Sequence, residues 1–335
     1  MPHVAIIGAG PPGLTAALEL TRLGVTVSIF EKRPGPSQLS RAVGLQPRSL
    51  EILAPCGVSE AILAEAIAFK GVIFHDHART LAKLPLNLDD NSHIWGRAQD
   101  RTEGHIAAAL KRLGVEVQYG TKFEGLEQDA GSVVATLNGL PQRFDYLIGA
   151  DGVFSKTRQA LNMSFDGYDL DKKWSIADVY CDDWPNREHF QGFLLDDGNV
   201  AVVVPLEARR FRVISSTPDA LKALPVPMNV RETVRSAAFT ISVRQVERYQ
   251  KGRVFLAGDA AHCHSPVGGR GMNLGIADAA DLAARIASGN TEGYTAARHP
   301  EGAHVLALSE GGRKLLQSNS ALRRFAVRFA MRMFN

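Results

Sequence analysis

The chain has 335 residues, 45% of them hydrophobic, so it can bury a large core in one domain or in two closely joined ones. Its 38 basic and 35 acidic side chains nearly balance, which argues against a nucleic-acid surface. Its three cysteines are far apart and odd in number, so neither a disulfide framework nor a paired redox motif is predicted. Because we find no basic leader, no cleavage site and no run of roughly 20 apolar residues, we expect a cytoplasmic protein.

The first element is a strand-like run, HVAII, followed by a glycine-rich turn and a helical pattern, LTAALELTRLG. A dinucleotide-binding site requires this order of elements. In the turn, Gly8 permits a tight bend, Gly10 lets the backbone approach a pyrophosphate, and Gly13 lets the helix lie close to the strand. The phosphates would then meet the positive end of the helix.

The second predicted strand covers residues 25–30 and ends at Glu31. A carboxylate at this position can accept both ribose hydroxyls of an adenosine and would repel a 2′-phosphate, which favours FAD or NAD over NADP. The adenosine-diphosphate ends of FAD and NAD are alike. This part of the sequence therefore leaves both cofactors open.

Two later segments also combine an apolar strand with an acid and glycines. Residues 145–158 (DYLIGADGVFSKTR) place Asp151-Gly152 directly after a strand. Residues 252–273 (GRVFLAGDAAHCHSPVGGRGMN) begin with a strand that runs into Gly258-Asp259. A proline, a second glycine turn and a predicted helix follow. Such an acid suits a polyol hydroxyl, and the helix amides can stabilise negative charge on a reduced ring.

These three motifs, in this order and at these separations, resemble the flavin-dependent aromatic hydroxylases related to para-hydroxybenzoate hydroxylase and phenol hydroxylase. The resemblance covers roughly residues 3–300. It implies an α/β fold with a Rossmann-like FAD-binding domain of the glutathione reductase type and an inserted β-sheet substrate domain. It also implies bound FAD, transient use of NADH or NADPH, and reaction with O₂ to form a flavin C(4a)-hydroperoxide that hydroxylates a small phenolic or heteroaromatic substrate.

The resemblance assigns cofactor contacts outside the first turn. In the last motif, Gly258 forms the turn and Asp259 holds the ribityl chain. Asp151 and Gly152 touch FAD and influence the use of NAD(P)H. The remaining contacts are an arginine at the phosphates or ribityl region and a glutamine at the ribityl chain, here Arg41 and Gln99.

The resemblance also assigns residues beside the reacting ring. Pro266 lines the substrate side of the ring, and the amides of Gly271, Met272 and Asn273 face the pyrimidine edge of the flavin. No residue is predicted to act as the catalytic base.

The expected domains are built from discontinuous segments. We expect a parallel sheet and a small meander, near residues 115–137, in the FAD domain, and a β-rich sheet above the flavin. The predicted segments are 1–71, 96–165 and 245–300 for the FAD-binding domain, 72–95 and 166–244 for the substrate domain, and 301–335 for a C-terminal helical segment. Since 35 residues follow Pro300, we do not expect the thioredoxin-like domain that larger relatives can carry.

The substrate pocket is less well predicted. Six side chains are candidates, although an aromatic residue on a strand is more often part of the core than a ligand contact: His75, His93, Trp95, Tyr180, Phe193 and Arg212. The sequence His262-Cys263-His264 is not predicted to bind a metal, because no second cluster completes four ligands. Two alternatives stay open for each histidine, a place beside the flavin and a place in the core.

Alternative functions remain open. A flavin-dependent halogenase or a reductase of the same fold is one alternative, although the spacing of the three tryptophans does not match a halogenase signature. A flavin- or ligand-binding protein without enzymatic activity is another, because a fold does not fix a function.

The end of the chain contains an apolar helical stripe. It consists of Leu322, Phe325, Phe329 and Met333 and is accompanied by several arginines. Packing of this stripe on the FAD domain or on a second subunit is favoured over contact with a membrane surface. The oligomeric state is not predicted.

Overall fold

A computed structural model describes residues 1–38, 42–86, 93–318 and 320–332 of the chain. Within these residues the α-helices are α1 (Pro11–Arg22), α2 (Pro47–Leu53), α3 (Val58–Leu63), α4 (Gln99–Arg112), α5 (Lys156–Ala160), α6 (Gly271–Ser288), α7 (Tyr294–Leu316) and α8 (Ala321–Arg332). Short 3₁₀ helices cover Ala54–Cys56, Asp196–Gly198 and Gly258–Ala260.

The β-strands in the same residues are β1 (His3–Ile7), β2 (Thr26–Glu31), β3 (Gly44–Leu45), β4 (Ile67–Ala68), β5 (Gly71–Asp76), β6 (Arg79–Pro85), β7 (Trp95–Gly96), β8 (Val117–Tyr119), β9 (Phe123–Gln128), β10 (Val133–Leu137), β11 (Leu140–Phe144), β12 (Tyr146–Gly149), β13 (Asp166–Asp169), β14 (Trp174–Cys181), β15 (His189–Leu194), β16 (Val200–Pro205), β17 (Arg210–Ser215), β18 (Val230–Phe239), β19 (Ser242–Gln245), β20 (Gln250–Lys251), β21 (Val254–Leu256) and β22 (His262–Cys263).

A six-stranded sheet lies at the centre of the cofactor half, in the order β20-β21-β12-β1-β2-β8. All neighbours pair in parallel except β20 with β21. Strand β1 is almost entirely buried and apolar, as expected for a parallel strand covered on both faces. Because parallel strands end at the same edge, the turns after β1, β12 and β21 lie on one side of this sheet.

A seven-stranded sheet forms the second half, in the order β18-β14-β17-β16-β15-β5-β6. Its neighbours are antiparallel except β15 with β5. One face of this sheet forms a separate apolar cluster that includes Val179, Phe193 and Phe211. On the opposite face, apolar side chains of β15 and β16 pack against Val43 and Ala98 of the cofactor half. This second face is therefore turned towards the six-stranded sheet.

The predicted α/β class, a Rossmann-like domain combined with a β-sheet domain, is confirmed by these two sheets. All strands of the six-stranded sheet lie in the segments predicted for the FAD-binding domain. Strands of the seven-stranded sheet lie within residues 71–85 and 174–239, close to the predicted substrate segments. The exact division into domains stays a prediction.

The meander differs from its predicted position. Residues 117–119 join the edge of the six-stranded sheet as β8, and the meander consists of β9, β10 and β11. Asn138 and Gly139 connect its last two strands, and both have positive φ angles, 48° and 78°. An Asn-Gly pair in this conformation makes a two-residue hairpin turn, so the sequence did carry a signal for the final strand.

Helix α8 packs with a different face from the one predicted. Phe325 and Phe329 are 66% and 56% exposed, whereas Val327 and Met331 are half-buried. These two phenylalanines therefore do not pack on the FAD domain of the same chain, and the predicted alternative, packing on a second subunit, stays a prediction. The side chain of Leu322 and the whole of Met333 lie outside the described residues. No helix in the described part of the chain is long and apolar enough to cross a membrane.

Glycines bring the first and last turns of the cofactor half into direct contact. An added Cβ at Gly275, in α6, would lie 2.6 Å from Cγ of Pro12 and 3.3 Å from Cα of Gly258. An added Cβ at Gly258 would lie 2.7 Å from the same Pro12 atom. Helix α1, helix α6 and the turn after β21 can therefore approach one another only because both positions are glycines.

We expect Gly275→Ala to destabilise the protein by about 1–3 kcal/mol, because the new methyl group meets a rigid proline ring in a packed interior. The matched control is Gly104→Ala in α4, where an added Cβ meets no atom within 4 Å. That control should stabilise by about 0.5–1 kcal/mol, since alanine is the better helix former. Urea unfolding of both variants measures the difference, and equal effects would contradict the packing argument.

Candidate functional site

The first glycine turn connects β1 to α1. Gly8 has a φ of +103°, and its amide donates to the carbonyl of Phe30 at 2.8 Å. An added Cβ at Gly13 would collide with the carbonyl oxygen of Gly8, so the helix can approach the strand only without that side chain. At Gly10, the N-cap of α1, an added Cβ meets no atom closer than 4.0 Å. The space in front of Gly10 is therefore open to a ligand.

Glu31 ends β2 beside this turn. Its carboxylate accepts hydrogen bonds from the amides of Ala9 (3.0 Å) and Arg33 (2.9 Å) and from the Arg33 guanidinium (3.1 Å). Burial alone would raise the pKa of Glu31, but these hydrogen bonds outweigh it and the net shift of the pKa is downward. The carboxylate is therefore ionised at neutral pH.

Asp151 lies at the turn after β12. One carboxylate oxygen, Oδ2, accepts from the amide (3.0 Å) and the hydroxyl (3.1 Å) of Thr157. The other oxygen, Oδ1, is buried and has no hydrogen-bond partner among the described residues. Gly152 follows with a φ of +79° and with open space around its Cα. A buried acceptor without a partner is costly, which suits a ligand that donates a hydrogen bond.

Arg158 connects the turn after β12 to the turn after β21. Its guanidinium donates to the carbonyls of Val153 (2.7 Å) and Ala260 (2.9 Å) and stacks over the ring of Phe165 at 3.8 Å. Burial lowers the pKa of Arg158 from its usual value. The two acid-bearing turns are thus tied together by one side chain.

The turn at Gly258-Asp259 presents its aspartate outward. The side chain of Asp259 is exposed, and its carboxylate forms no hydrogen bond with the described part of the chain. The amide of Gly258 donates to Asp278 of α6 at 3.2 Å, so the turn is held from behind. A carboxylate held in this way can accept hydrogen bonds from a polyol without giving up a protein partner.

Asp278 is the centre of a buried polar cluster that the sequence analysis missed. Its carboxylate also accepts from His262 Nε2 (2.6 Å) and Arg298 Nε (2.8 Å), and it has no exposed surface. Burial alone would raise the pKa of Asp278, but the charges and hydrogen bonds of His262 and Arg298 outweigh it and lower the pKa. His262 therefore acts as a structural partner of Asp278.

Asn273 joins the start of α6 to the segment around β3. Its side-chain oxygen accepts from the amide of Gln46 and the hydroxyl of Ser49, both at 2.8 Å, and its nitrogen donates to the carbonyl of Gly44 at 2.9 Å. The side chain was not assigned this role from the sequence, which considered the backbone amide. Since Asn273 is buried, it fixes the position of the helix start.

The other residues predicted beside the ring lie around the same helix start. Gly271 is the first residue of α6, and Met272 is buried in the main core. Pro266 is exposed in the preceding loop and accepts a hydrogen bond from the amide of Gly269 at 3.0 Å. His264 Nε2 is buried without a described partner, 3.3 Å from where a Cβ on Gly271 would lie. Burial lowers the pKa of His264.

Gln99 is the first residue of α4. Its side-chain oxygen accepts from the amide of Ala42 at 2.9 Å, and its nitrogen donates to Glu103 at 2.7 Å. Arg41 lies outside the described residues. The contact with Ala42 joins the start of α4 to the segment before β3.

The pocket candidates divide between the two faces of the seven-stranded sheet. His75 and Phe193 stack on each other at 4.6 Å, and Phe193 belongs to the apolar cluster on the outer face. Arg212 lies on the inner face, fully buried, and donates to both oxygens of Asp178 at 2.7 and 2.8 Å. The first two residues are therefore core residues, and the third belongs to a buried ion pair. Tyr180 is half-buried on the same face as Asp178, and His93 and Trp95 are half-buried at the edge of the cofactor half.

No group of three or more His, Cys, Asp or Glu side chains is placed to hold a metal ion in the described ranges. Cys263 lies between the two histidines, but burial and the charge of Asp259 raise the pKa of its thiol to about 12. A protonated thiol is not a metal ligand.

Comparison with known proteins assigns the chain to a family. A family described as "FAD binding domain" matches residues 1–223 and 220–300. The chain is 34% identical over 333 residues to rifampicin monooxygenase from Streptomyces venezuelae, an alignment that covers 90% of this chain and 69% of that protein. The chain belongs to the FAD-binding-domain family of flavoprotein monooxygenases.

Two further comparisons agree with this family. The flavoprotein is 30% identical over 353 residues to 6-methylpretetramide 4-monooxygenase from Streptomyces rimosus, covering 96% of this chain and 63% of that protein. The crystal structure of p-nitrophenol 4-monooxygenase from Pseudomonas putida superimposes with a TM-score of 0.88, covering 99% of this chain and 94% of that one, at 23% identity. This last likeness concerns the fold alone. The chain thus spans about two thirds of the curated relatives and nearly the whole length of the solved structure.

The resemblance inferred from the three motifs is confirmed by these matches, and so are the expectations of FAD binding and of a monooxygenase. The individual residue assignments stay predictions. Asp278, Arg298 and the side chain of Asn273 were missed. Asp278 lies on α6 behind the Gly258 turn, and a single sequence gives no signal that brings these segments together.

We expect Asn273→Ala to destabilise the flavoprotein by at least about 2 kcal/mol, because it leaves the amide of Gln46 and the carbonyl of Gly44 without partners. Each buried group left in this way costs about 1–3 kcal/mol. Asn290→Ala, in an exposed position just beyond the same helix, is the control and should change stability by less than about 0.5 kcal/mol. Chemical unfolding of both variants tests this, and a neutral Asn273→Ala would refute the proposed link between α6 and β3.

Proposed function

We propose that the protein is an NAD(P)H-consuming FAD monooxygenase that hydroxylates a small aromatic substrate. The observation that carries this proposal is the convergence of three cofactor-type turns at one edge of the parallel sheet. The turns follow β1, β12 and β21, and the first and last of them touch through Pro12, Gly258 and Gly275. One extended dinucleotide reaching from the first turn to the last is the ligand that fits this arrangement.

The residues present fit FAD. Gly10 leaves space for a pyrophosphate at the start of α1, and Glu31 supplies an ionised carboxylate for ribose hydroxyls. Asp151 offers a buried oxygen without a described partner, and Asp259 offers an exposed carboxylate for the ribityl chain. Glu31 already accepts three hydrogen bonds, so Arg33 would have to release its side-chain contact before both ribose hydroxyls could bind.

When bound, FAD would take up electrons from NADH or NADPH and supply the chemistry that transfers one oxygen atom of O₂ to the substrate. The residues at the start of α6 would contact the flavin ring. The first amides of this helix have no side-chain cap and no acidic residue beside them, so they can stabilise negative charge at the pyrimidine edge. His264 Nδ1 donates to the carbonyl of Ser265 at 2.7 Å, which leaves Nε2 to accept a hydrogen bond near Gly271.

The seven-stranded sheet would close the site on the substrate side. Its inner face packs on Val43 and Ala98, near the start of α4, and excludes water there through apolar side chains. Arg210 bridges this sheet to the FAD half, at 3.4 Å from Asp100, the residue after Gln99. The substrate would therefore lie between two halves whose relative position is fixed by a buried ion pair.

The substrate class rests on the relatives. The two similar proteins from Streptomyces are monooxygenases of rifampicin and 6-methylpretetramide, and the family resemblance implies a phenolic or heteroaromatic ring. A panel of phenols and larger fused aromatic compounds is therefore the appropriate screen. The choice between NADH and NADPH has to be measured in the same screen, because we assign no second dinucleotide site.

We expect the purified protein to release FAD on denaturation, and Asp259→Ala to weaken FAD binding roughly tenfold or more. The reason is the loss of a charge-assisted hydrogen bond, which contributes about 1.5–3 kcal/mol. Asp171→Ala removes another exposed aspartate, just before β14, and serves as the control. Fluorescence titration of the apoprotein gives the dissociation constants, and unchanged affinity in Asp259→Ala would remove this residue from the site.

We expect one compound class of the panel to accelerate NAD(P)H oxidation at least about tenfold and to gain one oxygen atom from ¹⁸O₂, because binding of the substrate completes the closed site. The measurement combines absorbance at the nicotinamide band with mass spectrometry of the product. If all reductant becomes hydrogen peroxide and no label enters any compound, the monooxygenase proposal fails. A chlorinated or brominated product would instead favour a halogenase, and no response to any ligand would favour a binding protein.

A further inference from the structure

Helix α8 is held in a fixed orientation by its inward face. Val327 and Met331 are half-buried, and Met331 packs against the apolar cluster at the edge of the seven-stranded sheet. Arg328 donates to Asp76 at 2.9 Å and to the carbonyl of Leu195 at 3.4 Å. These contacts hold one face of the helix against the rest of the chain, so the opposite face points outward.

The outward face of α8 is apolar and exposed. Phe325 and Phe329 are 66% and 56% exposed, and their rings stack with centroids 6.2 Å apart. Ala326 and Ala330 are exposed beside them. Leu315 of α7 is also 57% exposed, and it lines a crevice together with Val327 and Arg328 of α8. Two large aromatic rings held outward on a fixed helix indicate a binding surface, because the fold gains nothing from their exposure.

The charge of this region differs from that of the remaining chain. Residues 311–335 contain six basic residues and no Asp or Glu, whereas the chain as a whole has 38 basic and 35 acidic residues. The remainder is therefore net acidic. The six residues are Arg313, Lys314, Arg323, Arg324, Arg328 and Arg332. Arg313 and Arg328 pair with Glu310 and Asp76, and Lys314 is exposed.

The charge of this region and the apolar surface of α8 together indicate which kind of partner binds there. A second copy of the chain, paired by two-fold symmetry through α8, would bring two basic segments together and is disfavoured by repulsion. An anionic lipid surface satisfies both features: aromatic rings enter the boundary between headgroups and acyl chains, and arginine and lysine contact lipid phosphates.

We propose that the outward face of α8 binds the surface of an anionic phospholipid bilayer. The helix has 12 residues and is therefore about 18 Å long, too short to cross a bilayer, so it would lie in the plane of the interface. Its inward contacts would bring the edge of the seven-stranded sheet next to the membrane. The binding would be peripheral, reversible and sensitive to salt.

The test is flotation of the full-length holoprotein with vesicles of phosphatidylcholine alone and with vesicles that contain phosphatidylglycerol as well. We expect binding to the anionic vesicles and a loss of that binding at high salt. The double variant Phe325→Ser/Phe329→Ser should bind roughly tenfold more weakly. Its matched control is Leu113→Ser/Leu140→Ser, which removes two exposed leucines, 46% and 66% exposed, from the cofactor half and should bind like the parent protein.

Circular dichroism and FAD content of both double variants show that they are folded. The proposal is overturned if the parent does not bind anionic vesicles, or if Phe325→Ser/Phe329→Ser binds as well as the parent. It is also overturned if this variant abolishes self-association in the absence of lipid, because α8 would then be a contact between two copies of the chain. None of these readings depends on turnover of the enzyme.

Discussion

The turns that we propose as the cofactor site meet at the ring of Pro12, against which Gly258 and Gly275 present no side chain. Pro12 at the start of α1 lies where a side chain on either Gly258 or Gly275 would have to be. This contact sets the distance between the first glycine turn and the turn that carries Asp259, and so the distance between the two ends of one bound ligand. A single methyl group in the contact would move α6 away from α1. Because the start of α6 also carries the amides that we propose for the ring, the same contact would position the candidate site for redox chemistry.

Each half of the molecule contains a buried carboxylate that fixes neighbouring segments. Asp278 accepts hydrogen bonds from the amide of Gly258, from His262 and from Arg298, and thereby fixes the last turn from behind. Asp178 pairs with Arg212 inside the seven-stranded sheet. Buried ion pairs of this kind give little net stability, but the loss of one partner is costly, so they restrict the chain to one arrangement. This arrangement leaves Oδ1 of Asp151 and the Asp259 carboxylate without hydrogen bonds to the described residues, as a ligand site would require.

Much of the cofactor half was predictable because local patterns determine it. Strand β1, helix α1 and the glycines between them follow from short-range spacing, and the family assignment confirmed what these motifs imply. The substrate half was harder to predict, since the register of antiparallel strands decides which residues face inward. His75 and Phe193 proved to lie on the outer face for this reason. The role of Asp278 depends on contacts between distant segments, which no single motif reveals.

A crystal structure of the protein reconstituted with FAD would show directly whether these turns bind the cofactor. We predict density for one extended FAD, with the pyrophosphate at Gly10, the adenosine ribose at Glu31, the ribityl chain at Asp259 and the ring at the start of α6. In the same structure, Arg33 should have moved away from the Glu31 carboxylate. A cofactor bound in the opposite direction, or one whose ribityl chain lies far from Asp259, would show that these turns do not hold the two ends of one dinucleotide in the proposed way.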